Sequence, residues 1–110
     1  MNRKVPLRIR KLMKELKAGL VRIYGDQLKG VYLYGSYARG DYRPGSDVDV
    51  MILLKNYRSY WDEIKRTSEL ISGVSLNYDL LVSRVIMSED KWKRSDTSLL
   101  KNIQREGLPA

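Results

Sequence analysis

The chain contains no cysteine and no histidine. Their absence excludes disulfide bonds, thiolate nucleophiles, histidine general bases and the usual zinc sites. Any catalysis must therefore use carboxylates, hydroxyls, amines and bound metal. A chain without cysteine fits a reducing compartment, and we expect a cytoplasmic protein.

Long apolar runs are also missing. The longest, Val48 to Leu54, includes an aspartate and is far shorter than the roughly 18 residues of a membrane-spanning helix. Residues 1–14 are basic but contain no continuous apolar segment, so we expect neither a signal peptide nor a membrane partner. The length of 110 residues predicts a single domain over residues 1–110.

Positive charge is in excess, with 21 Lys and Arg against 13 Asp and Glu, a formal net charge of +8. Such a charge suits an anionic substrate or a polyanionic partner, and equally a solvated surface. Six of the basic residues lie on one predicted helix: Arg8, Arg10, Lys11, Lys14, Lys17 and Arg22. No aromatic residues alternate with them, as they do in single-strand binding surfaces, so we favour a solvated helix face.

The segment from Val31 to Leu54 carries the strongest chemical pattern. It predicts a buried strand ending at Tyr34, a turn and short helix over 35–39, and a second apolar strand. Side chains two residues apart on a strand point to the same face, so Asp47 and Asp49 should project side by side. Two adjacent carboxylates repel unless a cation lies between them, which predicts a hard divalent ion such as Mg²⁺.

The Gly-Ser turn before these carboxylates has the features of a phosphate site. Gly35 permits a sharp turn and close approach of a ligand, and Ser36 could cap the following short helix, whose N–H groups would attract an anion. Arg39 lies on the same helix and could reach a phosphate. Tyr37 and Tyr42 could stack on a base or accept a nucleotidyl group, but we favour surface loop positions for both. A phosphate site facing two metal-binding carboxylates is what nucleoside triphosphate chemistry needs.

Gly35-Ser36, ten intervening residues and Asp47-x-Asp49 resemble the signature of the DNA polymerase beta-like nucleotidyltransferase superfamily. The fuller string GSYARGDYRPGSDVDVMILL is most similar to minimal nucleotidyltransferases, which are often encoded beside HEPN-domain toxins. The resemblance is densest over residues 31–54 and extends more loosely from the first helix to about Val82. The combined pattern is far more specific than an isolated Asp-x-Asp.

This resemblance implies a fold, a site and a cofactor. The fold is a small α/β (α+β) domain, with a mixed sheet, helices packed on one face, and the site at the open edge of the sheet. The catalytic and metal-binding residues are Asp47, Asp49 and Asp79, and the nucleotide-binding residues are Gly35, Ser36, Arg39 and Ser46. One or two Mg²⁺ ions and ATP complete the expected site.

The implied activity is transfer of a nucleoside monophosphate, most simply AMP from ATP, to a hydroxyl group. The implied acceptor is a tyrosine of a partner HEPN toxin, an RNase, which would make this chain an antitoxin. A chain of 110 residues has little room for a second substrate-binding domain, which favours a protein acceptor. Two alternatives stay open: a non-catalytic module that neutralises a partner, and a nucleic-acid-binding domain that uses the basic first helix.

Two amphipathic helices follow from the spacing of apolar residues at intervals of three and four. The first should span residues 6 to about 24, and the second residues 57–72, closed by Gly73. The second carries an aromatic stripe, including Tyr60 and Trp61, that we expect in the core.

Residues 74–83 alternate in polarity and predict a third strand. Asp79 lies within it, and an aspartate in an apolar strand is unfavourable unless it is paired or bound to metal. The resemblance points to the third carboxylate of the superfamily at this position. The alternative is a solvent-exposed aspartate on an edge strand.

The C-terminal part predicts two short helices. Ser88 could cap one through Trp92, and Asp96 or Thr97 another that ends at Gly107. The apolar residues Trp92, Leu99, Leu100 and Ile103 could cover the sheet or offer a partner surface, and the sequence leaves both possibilities open.

Overall fold

The computed structural model describes Met1 and residues 3–110. The helices are α1 (Leu7–Tyr24), α2 (Ser36–Arg39), α3 (Tyr60–Tyr78), α4 (Glu89–Arg94) and α5 (Ser98–Glu106). The strands are β1 (Leu28–Tyr34), β2 (Val48–Leu54), β3 (Val82–Ser88) and β4 (Leu108–Pro109). A single 3-10 turn, Gly25–Gln27, joins α1 to β1.

The described residues form one mixed sheet of four strands in the order β3-β2-β1-β4. β1 is antiparallel to both β2 and β4, whereas β2 and β3 are parallel and joined through α3. A parallel pair needs such a crossover connection. The expectation of a site at the open edge of the sheet is wrong, because β2 is hydrogen-bonded to a strand on each side. Asp47 and Asp49 therefore lie at the end of an inner strand.

Helix α1 supplies one side of the main core, as its spacing predicted. It begins directly after Pro6, and its residues at intervals of three and four, such as Ile9, Leu12, Leu16 and Leu20, are fully buried. They pack with β1, β2 and α3 in one hydrophobic cluster. Full burial of one such side chain contributes roughly 1.5–3 kcal/mol, so α1 is a main source of stability for this face of the sheet.

Helix α3 is longer than the sequence predicted. It continues through Gly73 to Tyr78, because Ile71 and Val74 maintain helical spacing on the buried side. Gly73 faces open space, so its lack of a side chain costs little packing. The prediction of a strand over residues 74–83 is therefore wrong for its first eight residues: residues 74–78 belong to α3, residues 79–81 connect, and β3 begins only at Val82.

The aromatic stripe expected in the core is only partly there: Tyr57 packs against the main cluster, but Tyr60 and Trp61 on the first turn of α3 do not belong to the core. Trp61 is 62% exposed and Tyr60 43% exposed. The buried side of this turn is instead polar, with Glu63 and Thr67 only 7% and 0% exposed. Their hydrogen bonds to Tyr24 and Arg84 satisfy the polar groups and join α3 to α1 and β3.

The C-terminal residues form a second layer on the opposite face of the sheet. Ser88 and Thr97 cap α4 and α5 as predicted, with side-chain oxygens that accept hydrogen bonds from Lys91 and Leu100 amides. Ile103 packs on buried Met51 and Leu53, with Trp92 alongside. Ile103 and Trp92 thus cover the sheet, whereas Leu99 is 40% exposed.

The α/β class and the small mixed sheet are confirmed. Helices α1 and α3 pack on one face as expected, and α4 and α5 add a thinner layer on the other. Among the described residues, no helix is both long enough and apolar enough to cross a membrane.

Candidate active site

The Gly-Ser turn joins the end of β1 to α2. Gly35 has φ 75° and ψ −154°, a backbone conformation that essentially only glycine adopts without strain. A Cβ atom at Gly35 would lie 2.2 Å from Asp49 Oδ2. The missing side chain thus lets a carboxylate on β2 lie directly against the backbone of the turn.

Asp47 and Asp49 lie at the start of β2. Val48 and Val50 are fully buried on the α1 side, whereas Asp49 is half-buried and Asp47 exposed. Burial raises the pKa of Asp49, the nearby charge of Asp47 raises it further, and Arg39 partly opposes both effects. The negative charge of Asp47 therefore acts on the Asp49 carboxylate.

Arg39 lies at the end of α2 and faces two carboxylates. Its Nε is 3.2 Å from Asp41 Oδ2, and its Nη1 is 3.3 Å from Glu106 Oε1. The same Glu106 oxygen accepts a hydrogen bond from the Gly35 N–H at 3.3 Å. The amide and the guanidinium that we expected to bind a phosphate thus share an oxygen from α5.

Glu106 is the residue that sequence reasoning missed. It is separated from Arg39 and Gly35 by 67 and 71 positions. Its place in the sequence fits the last turn of an ordinary amphipathic helix, and only the packing of α5 on the sheet brings it to the turn. No local pattern in the sequence could have indicated that contact.

The two serines of the motif have different surroundings. Ser46 Oγ accepts a hydrogen bond from the Arg43 N–H at 2.9 Å and so orders the turn just before Asp47. Ser36 is the first residue of α2, and Gly35 occupies the N-cap position. The expectation that Ser36 caps this helix is therefore wrong, although its half-buried side chain remains beside the turn.

The two tyrosines beside the site stack on each other, with ring centroids 4.6 Å apart. Tyr37 is only 6% exposed, so the expectation of a surface position is wrong for it. Tyr42 is 38% exposed and covers Tyr37. The pair lines a cavity of about 320 Å³ together with Leu80 and Gly45, two residues before Asp47.

Asp79 does not lie on a strand. It ends α3 in a left-handed conformation, with φ 51° and ψ 45°, and its side chain is exposed. Because β2 and β3 are parallel, Asp79 precedes β3 at the same end of the sheet at which Asp47 precedes β2. The β3 residue opposite Asp49 is Ser83. Within the described residues, no three acidic side chains gather into a set that could hold a metal ion.

The residues present nevertheless fit Mg²⁺ in the presence of a phosphorylated substrate. Mg²⁺ takes oxygen ligands, and in nucleotide enzymes one or two carboxylates often hold it while phosphates and water complete its shell. Asp47 and Asp49 supply two such carboxylates, and a cation would offset both the burial and the repulsion from Asp47 that raise the pKa of Asp49. Gly35 lies against Asp49, and the charge of Arg39 acts on the same carboxylate, so both groups are placed to contact phosphate oxygens.

Comparison with known proteins gives the same picture over nearly the whole chain. Residues 9–107 match the family model described as nucleotidyltransferase domain. A Methanocaldococcus jannaschii protein, provisionally named a protein adenylyltransferase, is 37% identical over 102 residues, which cover 93% of this chain and 98% of that protein.

Solved structures also share the fold, among them the following two. A nucleotidyltransferase structure from Sulfolobus solfataricus, itself named provisionally, has a TM-score of 0.66 and 25% identity, covering 93% of this chain and 80% of that one. A toxin–antitoxin structure with AMP-PNP has a TM-score of 0.60 and 22% identity, covering 86% of this chain and 68% of that one.

Proposed function

This chain belongs to the nucleotidyltransferase domain family, and on that premise we propose that it transfers AMP from ATP to a hydroxyl group of a partner protein. The observation that carries the proposal is the position of Asp49. Its carboxylate lies against Gly35, beside Asp47 and within the field of Arg39. In this proposal the groups that bind metal and the groups that bind phosphate are therefore neighbours.

Asp47 and Asp49 are the residues that would hold Mg²⁺. When bound, the ion supplies positive charge that polarises phosphate oxygens and offsets the charge that develops in transfer. Asp49 is half-buried and lies on an inner strand of the sheet, which holds its carboxylate in place. The carboxylate therefore needs little reorganisation when substrate arrives.

The phosphate end of the nucleotide would contact the Gly-Ser turn. The Gly35 N–H and the Ser36 hydroxyl can donate hydrogen bonds to the β- and γ-phosphates, and Arg39 can balance charge on the pyrophosphate that leaves. Ser46 contributes by ordering the turn before Asp47 through its bond to the Arg43 N–H.

In the reaction, the acceptor oxygen forms a bond to the α-phosphorus as the bond from that phosphorus to the β-phosphate oxygen breaks. The acceptor hydroxyl loses its proton, and pyrophosphate leaves with the electron pair of the broken bond. We assign the proton to Asp79, which is exposed at the same end of the sheet as Asp47. Replacement by asparagine keeps its shape and removes the base.

The acceptor in this proposal is a tyrosine of a HEPN-domain toxin, and the chain acts as its antitoxin. Three facts support a protein acceptor: the motif over residues 31–54, the adenylyltransferase name of the M. jannaschii relative, and the toxin–antitoxin fold neighbour. A toxin tyrosine supplies the free hydroxyl that the chemistry requires.

The proposal is tested by transfer from ATP labelled at the α-phosphate, run beside ATP labelled at the γ-phosphate, with Mg²⁺ and the product of the neighbouring gene. We expect label on the partner from the α-position alone, and an added mass of one AMP on a tyrosine. Asp49→Asn should lower transfer at least about 100-fold, since it removes a charge that stabilises the transition state.

Asp26→Asn is the matched control, because Asp26 is exposed in the turn before β1, at the opposite end of that strand from Gly35. It should transfer AMP at the wild-type rate. Label from the γ-position alone would mean a kinase, and full activity in Asp49→Asn would refute the assigned site. A stable complex without label would favour the non-catalytic binding module.

A further inference from the structure

We propose that Glu106 is an internal occupant of the phosphate site, which the triphosphate must displace in order to bind. The inference rests on the proposed function for the identity of the ligand. The supporting observation is that a single oxygen atom, Glu106 Oε1, lies 3.3 Å from both the Gly35 nitrogen and Arg39 Nη1. A negatively charged oxygen bridging an amide and a guanidinium has the contacts of a bound phosphate oxygen.

The fold holds this carboxylate in place from both sides. Glu106 is the last residue of α5, whose Leu100 and Ile103 are 2% and 1% exposed. Directly after it, the Gly107 N–H donates to the Ile103 carbonyl oxygen at 2.7 Å, and β4 pairs with β1, the strand that leads to Gly35. The Glu106 side chain is only 17% exposed. It is therefore positioned at the turn by packing and strand pairing.

The carboxylate and a triphosphate compete most directly for the Gly35 amide. The Gly35 amide has one hydrogen, and a second anion beside Glu106 would add repulsion in a site that already contains Asp49 against Gly35. When a ligand must displace an internal competitor, its apparent affinity is its intrinsic affinity multiplied by the fraction of molecules in which the site is free. Glu106 thus weakens resting affinity for triphosphates.

A different role for Glu106 predicts the opposite change in phosphate affinity when the residue is replaced. If its carboxylate served to hold Arg39 ready for substrate, its removal would weaken phosphate binding. Arg39 also contacts Asp41 at 3.2 Å, so one of its carboxylate partners remains when Glu106 is changed. The direction of the change in affinity therefore separates a competitor from a positioning residue.

The test measures binding of inorganic tripolyphosphate by calorimetry at fixed Mg²⁺ concentration. Glu106→Gln keeps the size of the side chain and removes its charge. Glu106→Asp keeps the charge but is one methylene too short for the same reach. Both variants should bind tripolyphosphate about 5- to 20-fold more tightly than wild type, a size typical of coupling between competing states.

Glu69→Gln is the control for net charge, because Glu69 is exposed on α3, in the layer on the other face of the sheet. It should leave the affinity within about 2-fold of wild type. Unchanged or weaker binding in both Glu106 variants, or no binding in any protein, would overturn the inference. Thermal unfolding of each variant establishes that it is folded.

Tripolyphosphate carries no AMP, so this result is independent of transfer. Tighter binding by the Glu106 variants, with no AMP transfer by any protein, would sustain the displaced carboxylate and refute the proposed function. AMP transfer by wild type, with unchanged tripolyphosphate affinity in the variants, would support the proposed function and refute the displaced carboxylate.

Discussion

At the scale of single residues, Gly35 is the position where backbone and site depend most closely on each other. Its positive φ angle forms the turn, and its missing Cβ makes room for Asp49 Oδ2. One atom added here would act on both the fold and the carboxylate pair, which makes glycine necessary for two independent physical reasons.

We expect Gly35→Ala to lower the free energy of unfolding by about 1–3 kcal/mol, the usual cost of such a conformation for a residue with a side chain, and to abolish AMP transfer. Gly40→Ala is the matched control: φ is 94° there, but no atom lies within 4 Å of the added carbon. It should show backbone strain and keep most of its activity. Chemical denaturation and the label assay measure both. Active Gly35→Ala would show that Asp49 can shift without consequence.

The sequence predicts part of the site at this scale. Asp47, Asp49 and Gly35 belong to one short motif in which strand alternation and turn chemistry determine position. The structure brings them together. Asp79 and Glu106 were beyond the same reasoning, because their positions depend on where α3 ends and how α5 packs. Those are tertiary outcomes.

At the scale of elements, α3 shows how a local pattern can mislead. Residues 74–83 alternate in polarity like a strand, yet Ile71 and Val74 also continue a helical stripe against the core. Contacts with α1 favour the helix: the Asn77 side chain donates to Glu15 Oε1 at 3.1 Å. Glycine inside a helix costs roughly 0.5–1 kcal/mol, too little to end it when both flanks are anchored. The first helix, by contrast, has one consistent stripe and was predicted correctly.

The contact between α1 and α3 gives a pH-dependent prediction. The Tyr24 hydroxyl donates to Glu63 Oε1 at 2.9 Å, and burial, followed by this bond to Glu63, raises the pKa of Tyr24. Tyr24→Phe should lower the free energy of unfolding by about 1–2 kcal/mol at pH 7, because a nearly buried carboxylate loses a donor. Urea denaturation of both proteins measures the difference.

The difference between wild type and Tyr24→Phe should be full below pH 10 and shrink above it. In that range the unfolded tyrosine ionises near its usual pKa of about 10, whereas the folded one stays protonated. Stability that depends on the raised pKa is therefore lost from wild type as pH rises. A difference that stays constant to pH 11 would contradict the raised pKa.

At the scale of the whole molecule, the two faces of the sheet are covered unequally. The layer of α1 and α3 buries a large continuous cluster, whereas the buried members of the cluster on the other face, among the described residues, are Met51, Leu53 and Ile103. Regions with few buried contacts open at lower free energy than the rest. The layer that carries Glu106 is thus the less stable one.

Native-state hydrogen exchange tests this imbalance. We expect amides of α5 to exchange at least about 10-fold faster than those of α1 and β2, through local opening. Ile103→Ala should accelerate exchange in α5 further, with little change in α1. Uniform protection across both layers would show that the molecule opens only as one unit.

Net charge also belongs to this scale. The charge of +8 and the basic face of α1 allow nucleic-acid binding, and a surface that neutralises many phosphates would give a steep dependence of affinity on salt. We expect short single-stranded RNA to bind weakly, with a slope of log affinity against log salt shallower than about −3. Fluorescence anisotropy at several salt concentrations measures it. A steeper slope, reduced by Lys11→Gln and Lys14→Gln, would favour the nucleic-acid hypothesis.

Part of the site lies on the hairpin formed by β1 and β2, and this affects the order in which the site forms during folding. Gly35 and Asp49 lie close in sequence on adjacent strands, whereas the bond from the Gly35 N–H to Glu106 spans 71 positions. Short loops close with less entropy loss than long ones, so the hairpin can assemble first. On the ribosome, Glu106 also emerges later than both strands of the hairpin, because it follows them in the sequence. We therefore expect cellular ATP to reach the Gly-Ser turn of a newly synthesised chain before Glu106 does. Bound there, ATP would stabilise the hairpin during folding.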